Sequence, residues 1–145
     1  MTLTGRAVFA GRACAPLFTV RGPLSFWGGV DPATGRIINA RHADCGRSLA
    51  GQVVAIGELV GSSSSAAVLL ELVANGAAPA AILLRQVDAI LVVGCLAARE
   101  IGETAPPVVQ LGALPEAVDG TVLRVIADTA HEAATVSPER EARRG

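Results

Sequence analysis

The chain of 145 residues contains no lysine and few aromatic side chains, and both shortages argue against particular classes of function. Phe, Trp and Tyr make up 3% of the residues, so few side chains are available to stack on nucleobases. A formal net charge of −1 supplies no electrostatic attraction for nucleic acid, and we expect no nucleic-acid partner. The missing lysine argues against a P-loop nucleotide triphosphatase, because that loop holds the terminal phosphate through a lysine.

Cysteines are also scarce, and they are scattered. Cys14, Cys45 and Cys95 form no Cys-x-x-Cys pair, and an odd, dispersed set argues against a disulfide framework. It argues equally against an iron–sulfur cluster held by this chain alone, which usually takes about four thiolates. His42, Asp44 and Cys45 have a spacing compatible with a metal site, but an ordinary polar loop is the favoured interpretation.

Long apolar runs are absent as well. No run approaches the roughly 18 to 20 residues that span a bilayer, and we expect no membrane partner. The first residues, 1–6, lack the basic stretch and apolar core of a signal peptide, so we expect a cytoplasmic location. With 51% hydrophobic residues, the chain is long enough to form one compact domain with a real core.

The order of the predicted elements indicates an α/β or layered β/β/α domain. Short β-type runs at 6–9, 17–20, 24–27 and 36–40, with glycine-containing turns between them, predict a β-layer in the first fifty residues. A βαβ unit follows, and its helix is predicted to end at Asn75-Gly76. The unit comprises a strand over 52–56, a helix over 66–73 and a strand over 80–84. After it we predict a helix over 88–98 and strands over 107–111 and 121–126. We assign residues 1–136 to the domain and residues 137–145 to a charged, disordered tail.

A run of serines, Gly61-Ser62-Ser63-Ser64-Ser65, stands where the helix of the βαβ unit is predicted to begin. Hydroxyls and free backbone N–H groups at a helix start bind anions and lower the energy of an alkoxide. Helix capping is the simplest interpretation, because serine is among the best capping residues. A serine-hydrolase triad is a poor alternative: Gly-x-Ser-x-Gly is absent, and neither His42 nor His131 has the context of a serine's base.

Several short blocks, each weak alone, combine into a specific pattern. In chain order they are FWGGVDPATG (26–35), GRSLAGQV (46–53), GSSSS (61–65), LVANGAAPAAI (72–82) and VG (93–94). In this order and spacing the blocks resemble the swivel domain, or small subunit, of the aconitase X family. The resemblance covers most of the chain, from about Gly5 to about Val109.

The resemblance implies a single swivelling β/β/α domain and hydro-lyase activity. It implies that Ser62 is the catalytic base that removes the proton α to a substrate carboxylate. The N–H groups of Ser63, Ser64 and Ser65 at the predicted helix start are expected to stabilise its alkoxide. It further implies a large catalytic subunit that binds the iron–sulfur cluster. Many relatives have glycine at the position of Ser65, and this departure is expected to shift the loop slightly.

Two small carboxylate substrates are compatible with the resemblance. They are cis-3-hydroxy-L-proline and mevalonate 5-phosphate, the latter in isoprenoid synthesis. A composition rich in Ala and Arg and without lysine is typical of GC-rich bacterial genomes, and it favours hydroxyproline, the substrate of bacterial members. An alternative of another class is a non-catalytic regulatory module that binds an anion at the serine run.

Overall fold

The computed structural model describes residues 1–139. Within them the chain forms seven strands and two helices, and strands and helices alternate from the third strand to the fifth. The elements are β1 (Leu3–Phe9), β2 (Gly11–Thr19), β3 (Val53–Ile56), α1 (Ser65–Ala74), β4 (Ala81–Leu84), α2 (Ala89–Glu100), β5 (Val108–Gln110), β6 (Val122–Asp128) and β7 (Ala133–Pro138).

The strands join into one closed sheet in the order β1-β5-β4-β3-β2-β6-β7, and β7 pairs back with β1. Strands β2, β3, β4 and β5 are mutually parallel, whereas the remaining pairs are antiparallel. Helices α1 and α2 pack against each other and over the parallel strands. Two β-layers and one helical layer result, which confirms the predicted β/β/α domain.

Alternation along the parallel strands divides the core in two. In β3, Val53 and Ala55 point into the closed sheet, whereas Val54 and Ile56 face the helices. Side chains fill the interior of this closed sheet, and alanine occupies many of the inward positions. These alanines are Ala7, Ala15, Ala55, Ala81, Ala127 and Ala134.

The helical layer depends on a close backbone approach at Gly94. A Cβ atom at this position would lie 2.9 Å from the carbonyl oxygen of Ala66 and 3.2 Å from Leu69 Cβ. Only glycine therefore lets α2 come this near to α1. The contact fixes the spacing of the two helices, and so of their N-terminal ends.

The segment between β2 and β3 contains no regular strand, although strand-like runs were predicted at 24–27 and 36–40. Leu24 makes only an isolated bridge to Leu59, and Ile37 and Arg36 make single bridges to Val30 and Ser48. Buried Phe26 and Ile37 explain the apolar runs, because both side chains fill the core beside the helices. The glycines between these runs turn the chain before a ladder can extend.

The C-terminal strand β7 extends past the predicted domain boundary at residue 136. Ser137 pairs with Arg124, Pro138 pairs with Leu123, and the Glu139 N–H donates to the Val122 carbonyl. Residues 137 and 138 therefore belong to the sheet, not to a tail. The rest of the predicted disordered tail, 140–145, lies outside the described residues. None of the helices in residues 1–139 has the length and apolarity needed to cross a bilayer.

Candidate functional site

The serine run lies where the parallel strands end. The connection from Gly57 to Ser64 leaves the carboxyl end of β3 and leads into α1. The carboxyl ends of β2, β4 and β5 lie at the same edge, and Gln110 Nε2 donates to the Arg85 carbonyl at 3.3 Å. In α/β sheets ligands bind in the crevice outside this edge. Ser62 is therefore positioned as a functional residue would be.

The hydroxyl of Ser62 forms a small turn ahead of the helix. Its Oγ accepts a hydrogen bond from the Ser64 N–H at 3.1 Å, and its carbonyl accepts from the Ser65 N–H at 3.0 Å. Helix α1 begins at Ser65, and the Ser64 side chain at the N-cap makes no capping bond. Of the three N–H groups expected to assist Ser62, only that of Ser64 reaches its Oγ. The tight turn directs the Ser65 N–H to the carbonyl instead.

Gly61 precedes the turn in a conformation that favours glycine. Its φ is +118°, and a Cβ atom here would collide with Ser25 Oγ. Ser25 Oγ in turn donates to the Trp27 carbonyl at 2.9 Å, and the Trp27 N–H donates to Ser65 Oγ at 3.3 Å. Segment 25–27 thus supports the serine run from both ends. The serine at position 65, instead of glycine, supplies one of these contacts, which the sequence did not predict.

A cavity of about 80 Å³ opens between the starts of the two helices. Its lining residues are Phe26, Leu59, Val60, Gly61, Ser62, Ser65, Asp88, Ile90 and Leu91. Asp88 is the charged member of this set. Its Oδ1 accepts hydrogen bonds from the N–H groups of Ile90 (2.9 Å) and Leu91 (3.0 Å) and caps α2.

Asp88 was predicted only as the start of a helix, not as a site residue. The available signal was its position: it follows the buried strand β4 closely, just as Ser62 follows β3. Two parallel βα connections place both residues at one edge. Sequence spacing alone does not give the distance between neighbouring connections.

Exposed apolar side chains flank this edge. Trp27 is 57% exposed, Val60 45% and Val87 43%. Val60 lines the cavity, and the other two each neighbour a lining residue in the chain. Large apolar side chains left in water near a functional cleft are typical of a protein interface. The edge therefore has the character of a surface that docks a partner.

The residues of the possible metal loop form a structural anchor instead. Burial alone would raise the pKa of Asp44, but hydrogen bonds from the Arg21 side chain and backbone, with the charges of Arg21 and Arg47, lower that pKa overall. His42 Nδ1 accepts the Asp44 N–H at 2.9 Å, and His42 Nε2 lies 3.1 Å from the Pro23 carbonyl. Because hydrogen bonds within the protein already engage Asp44 and His42, the structure favours an ordinary polar loop over a metal site.

The cysteines lie apart in the fold. Cys14 and Cys45 are exposed, Cys95 is buried on the inner face of α2, and all three are free. Burial raises the pKa of Cys95 to about 12, so this thiol is protonated at neutral pH. Within residues 1–139 no group of three or more His, Cys, Asp or Glu side chains comes together as metal ligands do.

Comparisons with known proteins agree on one family. The family model described as aconitase X swivel domain matches residues 2–133. A cis-3-hydroxy-L-proline dehydratase of Pseudomonas aeruginosa is 44% identical over 107 residues, which cover 74% of this chain and 18% of that protein. A phosphomevalonate dehydratase small subunit of Thermococcus gammatolerans is 39% identical over 98 residues, which cover 68% of this chain and 75% of that protein.

The fold is similar to a solved structure as well. The crystal structure of Thermococcus kodakaraensis aconitase X in its holo-form superposes with a TM-score of 0.79 at 28% identity, covering 94% of this chain and 98% of that chain. The chain spans less than a fifth of the length of the hydroxyproline dehydratases it matches.

Proposed function

Because the chain belongs to the aconitase X family, whose swivel domain it forms, we propose that it is the small subunit of an aconitase X-type hydro-lyase with Ser62 as catalytic base. One observation carries this proposal: Ser62 lines a cavity at the carboxyl edge of the parallel strands, and its Oγ accepts the Ser64 N–H at the start of α1. The partner is a large aconitase X-type subunit that docks on this edge. The complex acts in the cytoplasm on a small carboxylate substrate.

In its deprotonated form Ser62 removes the proton on the carbon next to the substrate carboxylate: the C–H bond breaks as an O–H bond forms on Oγ. The freed electron pair forms the double bond as the hydroxyl on the neighbouring carbon departs, for which the large subunit would supply the Lewis acid. A free serine hydroxyl is a very weak base, so its charged form requires several kcal/mol of stabilisation. The Ser64 N–H and the positive end of α1 supply roughly 0.3–1 kcal/mol each when exposed, and more once water is excluded. These two contributions are smaller than the stabilisation that the alkoxide needs. The large subunit must complete the site, and the isolated chain should be inactive.

The proposed substrate is cis-3-hydroxy-L-proline. The support is the 44% identity to a dehydratase of that name. Mevalonate 5-phosphate is the second candidate, because the relatives of which this chain covers most are named phosphomevalonate dehydratase small subunits. Turnover of one substrate and not the other by the reconstituted complex decides between them.

Dehydratases of this family generally use iron–sulfur clusters. The described residues do not fit such a group: the three cysteines are dispersed, and one is a buried, protonated thiol. We therefore propose that the large subunit binds the cluster. The steps assigned to this chain are proton removal by Ser62 and the positioning of Ser62 by its neighbours.

The test is proton exchange in the complex reconstituted with its large subunit. In Ser62→Ala, exchange of the substrate α-proton with deuterated solvent should fall by at least 10²- to 10⁴-fold, because a positioned base typically contributes that much. Ser64→Ala is the matched control, since it keeps the N–H that bonds Ser62 and loses a side chain that caps nothing. Parental exchange in Ser62→Ala would favour the alternative, a non-catalytic module that binds an anion at the serine run.

A further inference from the structure

We propose that the carboxylate of Asp88 binds the positively charged ring nitrogen of a cyclic imino acid and thereby selects this substrate class over phosphorylated acids. The inference rests on the proposed function, because it concerns the substrate whose proton Ser62 removes. It assigns to Asp88 a role in specificity in addition to capping α2.

The charge of the cavity is the first argument. Among the lining residues, the side chains other than Asp88 are apolar or are serine hydroxyls, and no arginine or histidine accompanies them. Because Asp88 carries the one formal charge among these lining residues, its carboxylate attracts a cation that enters the cavity. Beside Asp88 the cavity thus favours a positive group over a negative one.

The hydrogen bonds of Asp88 are the second argument. Both capping bonds end on Oδ1, from the N–H groups of Ile90 and Leu91. Among the described residues no hydrogen bond ends on Oδ2. The helix start therefore orients the carboxyl group and leaves one oxygen available to a ligand, while the residue itself is only half-buried.

The chemistry of the substrate is the third argument. In cis-3-hydroxy-L-proline the α-carbon carries the proton to be removed, the carboxylate and the ring nitrogen, which is a secondary ammonium with two N–H donors at neutral pH. Because the nitrogen is bonded directly to the α-carbon at about 1.5 Å, the base and the ammonium acceptor must lie close together. Ser62 and Asp88 meet this requirement, since both line one cavity of about 80 Å³.

Mevalonate 5-phosphate lacks a cationic group and carries a carboxylate and a phosphate. At the same position it would meet the Asp88 charge with no cation from the lining residues to offset it. Like-charge contacts of this kind are how binding sites reject competing ligands. Asp88 therefore favours the imino acid both by attraction and by repulsion of the alternative.

The experiment uses Asp88→Asn in the complex with its large subunit. Asparagine has nearly the same shape and caps helices well, so the variant removes the charge and keeps the helix start. Two competitive inhibitors are compared: L-proline, whose nitrogen is cationic, and pyrrole-2-carboxylate, whose nitrogen is neutral. We expect the inhibition constant of L-proline to rise about 10- to 100-fold, as for loss of a charge-assisted hydrogen bond, and that of pyrrole-2-carboxylate to change less than about twofold.

Two further variants control the result. Asp88→Ser also caps α2 but carries no charge, and it should reproduce the selective loss of L-proline binding. Glu58→Gln removes an exposed carboxylate from the connection before α1 that does not line the cavity, and it should leave both inhibition constants unchanged.

Equal weakening of both inhibitors in Asp88→Asn and Asp88→Ser would show a purely structural role and overturn the proposal. Turnover of mevalonate 5-phosphate, but not of hydroxyproline, by the parental complex would overturn it too. The role of Ser62 is tested separately by α-proton exchange in Ser62→Ala. If Ser62→Ala loses that exchange while the Asp88 variants weaken both inhibitors equally, the role of Ser62 stands and only the assignment of Asp88 is refuted.

Discussion

Asp44 is the residue whose removal should destabilise the free chain most clearly. Its side chain is fully buried, and it joins the loop after residue 36 to the end of β2. Oδ2 accepts the Arg21 N–H at 2.7 Å, and Oδ1 accepts Arg21 Nε at 2.9 Å. Through the Asp44 N–H the same loop holds His42, which contacts the Pro23 carbonyl. Replacement by asparagine keeps the shape but puts an NH₂ group against one of these donors.

The expected cost follows from these contacts. Asp44→Asn loses at least one hydrogen bond to a charged group, worth about 1.5–3 kcal/mol. The Arg21 side chain is 66% exposed and regains water when its partner is lost, so the larger penalties of fully buried ion pairs do not apply. We expect about 2 kcal/mol for Asp44→Asn and about 3 kcal/mol for Asp44→Ala, which leaves the backbone N–H of Arg21 without an acceptor.

Urea unfolding of the purified chain measures this cost. With a denaturant dependence of about 2 kcal/mol per molar urea, Asp44→Asn should lower the midpoint by about 1 M. Asp119→Asn is the matched control: this carboxylate also contacts Arg47, at 3.2 Å, but lies at the surface, where such a pair contributes about 1 kcal/mol or less. Equal midpoints for the parent and Asp44→Asn would refute the anchoring role.

The contribution of Asp44 to the free energy of unfolding should decrease in acid. The pKa of Asp44 is lower in the folded chain than its ordinary value of 3.8, so its contribution is present above that value and is lost as the pH falls through the folded pKa. The stability difference between the parent and Asp44→Asn should therefore be constant near neutral pH and shrink below pH 3.8. A difference that grew in acid would contradict this interpretation.

Three further predictions concern the site edge and the β6–β7 turn. Gly61→Ala should destabilise the chain by about 1–3 kcal/mol in urea unfolding, because it adds positive-φ strain to a clash with Ser25. Trp27→Ala should leave the unfolding midpoint nearly unchanged but weaken binding to the large subunit at least tenfold by calorimetry, since exposed tryptophans often dominate interfaces. In Asp128→Asn, NMR titration should show the pKa of His131 falling towards its ordinary value, because the hydrogen bond and charge of Asp128 raise it; an unchanged pKa would exclude that cause.

Local sequence determined most of the regular elements. The helix predicted over 66–73 is α1, and its stop at Asn75-Gly76 is confirmed by a C-cap at Asn75 and a φ of +68° at Gly76. The predicted strand at 52–56 is β3 within one residue. These predictions succeed because apolar periodicity and a residue that tolerates positive φ act over a few neighbouring positions.

Pairing between distant segments explains what the sequence did not reveal. The run at 24–27 is apolar because Phe26 fills the core, and it lacks a neighbouring strand with which to form a ladder. Strand β7 was missed because its alternation of alanine, threonine and valine is weak, and β6 and β1 stabilise it by pairing on both sides. Strand character there depends on hydrogen-bond partners far away in the chain.

In the candidate site, too, some features could be predicted from the sequence and others depend on the tertiary structure. The serine run and the block pattern around it were enough to single out Ser62 and to expect a helix start beside it. Only the tertiary structure brought Asp88 into the same cavity and Ser25 against Gly61, because parallel strands align connections that are more than twenty residues apart in sequence. Chemical identity is a property of single residues, whereas the charge and shape of a cavity arise from side chains that the fold assembles.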